Sequence, residues 1–140
     1  MHQPLNQVRL RGFLTEPARL FVSRSGQPRI TFRLEVWIDD AELPPKKPAG
    51  VDYFSVVAFG EQFVPLVVQL VTDREVTLAG RLRSRDLDVD VRRVVTEIVA
   101  KEITFHGTRA DALRDRRTQP ASIASTLKSP GPRFEHAERV

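Results

Sequence analysis

The 140-residue sequence contains no cysteine, so disulfide scaffolds, thiolate metal sites and cysteine nucleophiles are excluded. Its three histidines are His2, His106 and His136, two of them beside the termini. That spread offers neither a histidine metal cluster nor the base of a His-dependent hydrolase. No run approaches the roughly 18 uncharged apolar residues of a membrane span. Met1–Leu10 lacks the apolar core of a signal peptide and already carries Arg9. The expectation is a cytoplasmic protein with no membrane partner. Lysine is scarce, at Lys46, Lys47, Lys101 and Lys128, within 22 basic residues against 18 acidic ones. The excess of arginine suits phosphate contact and base stacking, because the guanidinium is planar and forked. A high-GC genome gives the same bias. The net charge of +4 permits a polyanion partner without demanding one.

There is no Walker loop, no G-x-G-x-x-G and no internal repeat. Alternation of apolar and polar residues dominates between Asn6 and Phe105. It predicts strands at Gln7–Phe13, Arg29–Ile38 and Glu75–Arg85; Tyr53–Phe59, apolar on both faces, reads as a strand covered twice, and Val94–Phe105 as a long final strand. Ser23–Pro28 has the chemistry of a hairpin turn, and Leu43–Gly50, with three prolines, that of a long exposed loop. The one helical candidate in the domain, Gln62–Val71, contains Pro65, which is tolerable only in a first turn. After Gly107 large apolar residues become sparse. The chain therefore divides into a domain over 5–107 and a mostly disordered tail over 108–140, in which Ala110–Arg117 could form a short helix. Five or six strands with one short helix are most economically closed into a small barrel, which hides the strand edges.

Asp86, Asp88 and Asp90 would share one strand face. A divalent-cation site and a solvated hairpin face both fit, and the flanking arginines favour the second. No catalytic residue, metal ligand or cofactor is assigned, and the chain is not expected to be an enzyme. The stronger constellation is aromatic and basic. Trp37 falls on the polar face of its strand, in phase with Arg33, where a large ring is expected to need a partner. Tyr53 and Phe59 are in phase with each other, facing either a ligand or a core or oligomer contact. Arg81, Arg83 and Arg85 form another row, and Arg9 and Arg11 alternate on the first strand. Exposed rings with a basic groove are what a single-stranded nucleic acid requires. Val56-Val57 and Val94-Val95 are apolar on successive positions. Both faces of those strands seek cover, so a homo-oligomer is expected, a tetramer before a dimer.

These segments together resemble the bacterial single-stranded DNA-binding protein family. Asn6–Leu14 resembles its opening strand, and Pro17–Gly26 its first hairpin, with Phe21 where an aromatic is common. Asp52–Gly60 resembles its acidic-aromatic strand ending in Phe-Gly. Val76–Arg85 is similar to its V-x-x-x-G-x-L-x-x-R strand, and Val95–Ala100 to its last strand. The resemblance implies an all-β, five-stranded Greek-key oligonucleotide-binding barrel, with one short helix between strands 3 and 4 and a flexible C-terminal tail. It implies sequence-nonspecific binding of single-stranded DNA in replication, recombination and repair, on the nucleoid. Tyr53 stands where the family often has a stacking Trp, Phe59 matches a stacking Phe, and Trp37 is shifted in register from another. Leu87 replaces a further Trp and cannot stack. The ending Phe134–Val140 does not match the family's acidic tip, which recruits replication and repair proteins. The alternative is a protein-interaction module on the same fold, such as a primosome accessory subunit with weak DNA binding. An RNA-binding barrel is a third reading.

Overall fold

The computed structural model describes residues 2–38, 50–88 and 93–118. The proposed 43–50 loop except Gly50, the carboxylate of Asp90 and the segment after Thr118 lie outside the described residues. Six strands occupy the alternating segments: β1 Val8–Leu14, β2 Arg19–Val22, β3 Pro28–Trp37, β4 Val51–Phe59, β5 Arg74–Asp88 and β6 Arg93–Thr108. Five of them close a ring. β1 pairs with β3 through Phe13 and Leu14, and with β5 from Val8 to Phe13. β3 pairs antiparallel with β4, β4 parallel with β6, and β6 antiparallel with β5. β2 adds to the free edge of β3, completing the first hairpin. The ring is therefore the expected five-stranded barrel, with one short strand attached to it.

Period-two alternation decides which side chains fill the barrel. Leu14, Ile30, Leu34, Leu78 and Ile98 point inward and are essentially inaccessible. Gly12 lets β1 serve two neighbours. A β-carbon there would collide with the Glu35 carbonyl of β3, so only glycine allows this approach.

Between β4 and β5 the helix over Glu61–Val68 winds as 3-10 rather than α. Gly60 starts it at φ 114°, a conformation that favours glycine, and donates its N–H to Pro28 O at 3.1 Å. Pro65 lies beyond the first turn, contrary to the sequence reading. Phe63 and Leu70 are buried and join the core cluster, so the segment closes the barrel.

The two valine pairs differ in cover. Val57 points outward, yet it is only 2% exposed within one chain, flanked by Thr31 of β3 and Val99 of β6, whereas Val94 is 64% exposed. Beyond β6, helix α1 spans Arg109–Thr118. Its first residue is clamped to the barrel: Arg109 N donates to Asp73 O at 2.8 Å, Nε to the Asp73 carboxylate at 2.8 Å, and Nη1 to the Glu35 carboxylate at 2.7 Å. Asp73 adopts φ 66°, left-handed backbone that aspartate tolerates better than most residues. No helix among the described residues is long and apolar enough to cross a membrane, a statement that concerns helices alone.

Candidate nucleic-acid interface

The outward faces of β2, β3, β4 and β5 carry a row of rings, each beneath an arginine. Strand alternation sets Tyr53, Ser55, Val57 and Phe59 outward on β4, and Arg29, Thr31, Arg33 and Glu35 outward beside them on β3. The Arg33 guanidinium lies 4.4 Å from the Tyr53 ring centre. Arg83, reaching from β5, lies 5.0 Å from that of Phe59. Arg29 lies 5.0 Å from that of Phe21 on β2. Phe21, Tyr53 and Phe59 are 41%, 49% and 41% exposed, a large share for bulky rings on one barrel wall. Cation–π contact sets each guanidinium over its ring, and the forked N–H groups left over can donate to a phosphate. The row thus offers π surface and phosphate donors at matched positions.

A buried carboxylate holds the β5 arginines. Glu97 on β6 stands opposite Arg83. One of its oxygens accepts from Arg83 Nε at 3.1 Å, from Arg83 Nη2, and from Arg85 Nε at 3.0 Å. At the other end of the row, Tyr53 and Arg33 border a cleft of about 440 Å³ with Glu35, Asp73 and Arg109. The Arg109 hydrogen bond holds the Glu35 carboxyl below its ordinary value, burial pulls the other way, and the Trp37 indole N–H adds to the lowering. In turn Glu35 raises the Arg109 guanidinium, with a smaller contribution from Asp73 and opposed by burial.

The structure pairs Arg33 with Tyr53 and Arg83 with Phe59 along one face of β4, with Arg85 joined to Arg83 through Glu97. Arg81 lies one pleat further along β5, opposite Val99. Trp37 departs from the sequence reading. It keeps the expected strand phase but is half-buried, its ring 5.0 Å from that of Phe13, its Nε1 donating to Glu35 at 2.9 Å. Its need for a partner is met within the chain. Arg9 and Arg11 occupy β1, opposite Ala79 and Thr77, and Arg11 is paired with Glu75 at 3.0 Å. Sequence reasoning missed Arg29 and Arg109. Arg29 is in phase with Arg33, a signal that was present. Arg109 carries no local signal, because its partners lie 74 and 36 residues away.

The single-strand binding protein family matches residues 5–106, nearly the whole barrel. The chain belongs to this family. No curated protein matches it by sequence. Among solved structures it is similar to a Plasmodium falciparum single-stranded DNA-binding protein in complex with single-stranded DNA, with a TM-score of 0.66 at 20% identity. That match covers 76% of this chain and 98% of the other. It is also similar to a deletion mutant of the single-stranded DNA binding protein from Thermus aquaticus, with a TM-score of 0.63 at 22% identity. There the match covers 76% of this chain but only 52% of the other. At these identities the likeness concerns the fold, the oligonucleotide-binding barrel. Family proteins bind DNA and are not catalysts.

Proposed function

We propose that the chain binds single-stranded DNA without sequence preference, by stacking bases on Phe21, Tyr53 and Phe59 and contacting phosphates through Arg29, Arg33, Arg81, Arg83 and Arg85. The observation that carries this reading is the row of exposed rings on one barrel wall, each paired with an arginine. Rings accept any base because every base has a π face, while the guanidinium forks follow the backbone. Duplex DNA hides its base faces and gains only the phosphate contacts. In this reading residues 5–107 bind and 108–140 form the tail. Trp37, Arg9 and Arg11 act at the margin, on the flank of the barrel where β1 lies. Exposed Val94 leaves part of the long hairpin for a second copy, so a homo-oligomer, a tetramer before a dimer, completes the binder. Its place is the cytoplasm, on the nucleoid, in replication, recombination and repair.

Competition between labelled single strands and duplexes of equal length, scored by anisotropy, tests this. The single strand should win by at least tenfold, with little difference between unstructured DNA sequences. Equal affinity for duplex would overturn the stacking reading, and a preference for RNA would reassign the substrate. A second reading, a protein-interaction module with weak DNA binding, draws on Glu97, which compensates part of the arginine charge. It requires binding that hardly responds to Tyr53 or Phe59.

A further inference from the structure

The arginine row contains one acidic residue whose placement is not that of a solvated partner. Glu97 keeps only 10% of its side chain accessible, whereas Arg83 and Arg85 keep 32% and 50%. A buried carboxylate is costly to desolvate unless it is well bonded, and here a single oxygen serves three guanidinium N–H groups. Two guanidinium groups on one strand, two residues apart, would otherwise repel each other. The shared carboxylate cancels one of their two charges and fixes both side chains. It also sets where Arg83 lies, over the Phe59 ring.

We infer that Glu97 is a positioning residue for the strand: it holds Arg83 over the Phe59 ring and fixes Arg85 through the same carboxylate oxygen before DNA arrives, and it halves the charge they present to phosphate. This inference rests on the proposed single-strand binding. Two consequences follow. The arginines lose little rotamer freedom on binding, because they are already ordered. The binding is also less salt-dependent than the number of arginines suggests, because the trio presents one net positive charge. Stacking on Phe59 then supplies a larger share of the affinity.

The test compares the full chain with Glu97→Gln, which keeps the shape and removes the charge, and with Glu97→Asp, which keeps the charge. Binding of an unstructured thymidine oligonucleotide is titrated across a salt series. The arginine Nε–H signals of the free proteins are followed by NMR, with melting curves alongside. Glu97→Gln should bind with a log K against log salt slope steeper by about 0.7, the value of one additional phosphate on a single strand. Relative to wild type it should gain about fivefold for each tenfold drop in salt. Arg83 and Arg85 Nε–H signals should exchange slowly in wild type and be lost in Glu97→Gln, and Glu97→Asp should restore the wild-type slope. A folded Glu97→Gln with an unchanged or shallower slope overturns the inference while leaving the proposed function standing. If Glu97→Gln does not fold, unprotected Arg83 and Arg85 signals in wild type overturn it instead. A wild type that binds no single strand overturns the proposed function, and this role falls with it.

Discussion

At the scale of single residues, the rings and the carboxylates of this wall should respond to different variables. Tyr53→Ala and Phe59→Ala each remove one stacking surface, which contributes about 1–3 kcal/mol per base. Because both rings are substantially exposed, the melting temperature should change little, and calorimetry beside each titration checks this. A large loss of stability would place the rings in a structural role. Glu35 gives a pH signature. Its carboxyl is held below the ordinary value of 4.5, chiefly by Arg109. A carboxyl lowered in the folded state contributes stability that is present above its unfolded value and lost as pH falls through its folded one. Glu35→Gln should therefore be less stable than wild type at pH 7, by about 1–3 kcal/mol for the charge removed from its hydrogen bonds. The gap should close as pH falls below 4.5. A gap independent of pH would show that packing, rather than charge, is what Glu35 supplies. Strand phase in the sequence put Tyr53 and Phe59 on one face of their strand but could not say which way that face turns, because the segment is apolar on both sides; the structure turns it outward. Trp37 was legible in phase but not in environment. Phe13, which covers it, lies on another strand, and no pattern along β3 encodes that neighbour.

At the scale of elements, closure depends on a few backbone approaches. β1 bridges β3 and β5 at Gly12, where a methyl group meets a main-chain carbonyl that cannot swing away. Gly12→Ala should cost about 1–3 kcal/mol or more, the range of overpacking, and hydrogen exchange should report it first in β1. Exchange rates unchanged in β1 would contradict the closure described here. Strands that bury one face in the barrel could be read from period two, whereas Tyr53–Phe59 is apolar on both faces, and Val56, Val57 and Ala58 are all buried. Helix type could not be read. The sequence around Pro65 suits a short helical turn and does not distinguish 3-10 from α winding; the burial of Phe63 and Leu70 and the Gly60 bond to Pro28 anchor the segment to the barrel. The link from α1 to the barrel was likewise invisible, since Arg109 reaches partners on β3 and in the turn before β5. Arg109→Ala should free the start of α1 and uncover Phe13, over which its guanidinium lies at 4.7 Å. The expected outcome is a lower melting temperature with single-strand binding within about threefold of wild type. Truncation after Thr108 should match that substitution, and truncation after Thr118 should leave the melting temperature where it was.

At the scale of the whole molecule, the barrel turns one wall of rings and arginines outward while β1 and α1 meet on another flank. Family membership fixes the fold and the class of ligand, and the arrangement of this wall determines how that ligand would be held. If the wall is completed by further copies, stability and affinity should both depend on protein concentration. Sedimentation at micromolar concentration should show an assembly larger than a monomer, and a stable monomer would contradict that. The central claim is that stacking and phosphate contact divide the work between separate side chains. A salt-series titration of one unstructured DNA oligonucleotide against wild type, Phe59→Ala and Arg33→Ala tests it most directly. Phe59→Ala should lie below wild type by a constant offset at every salt concentration, because a ring releases no counterions. Arg33→Ala should lose affinity mainly at low salt, with a slope flatter by about 0.7. Parallel lines for all three proteins, or a Phe59→Ala line that coincides with wild type, would contradict the account.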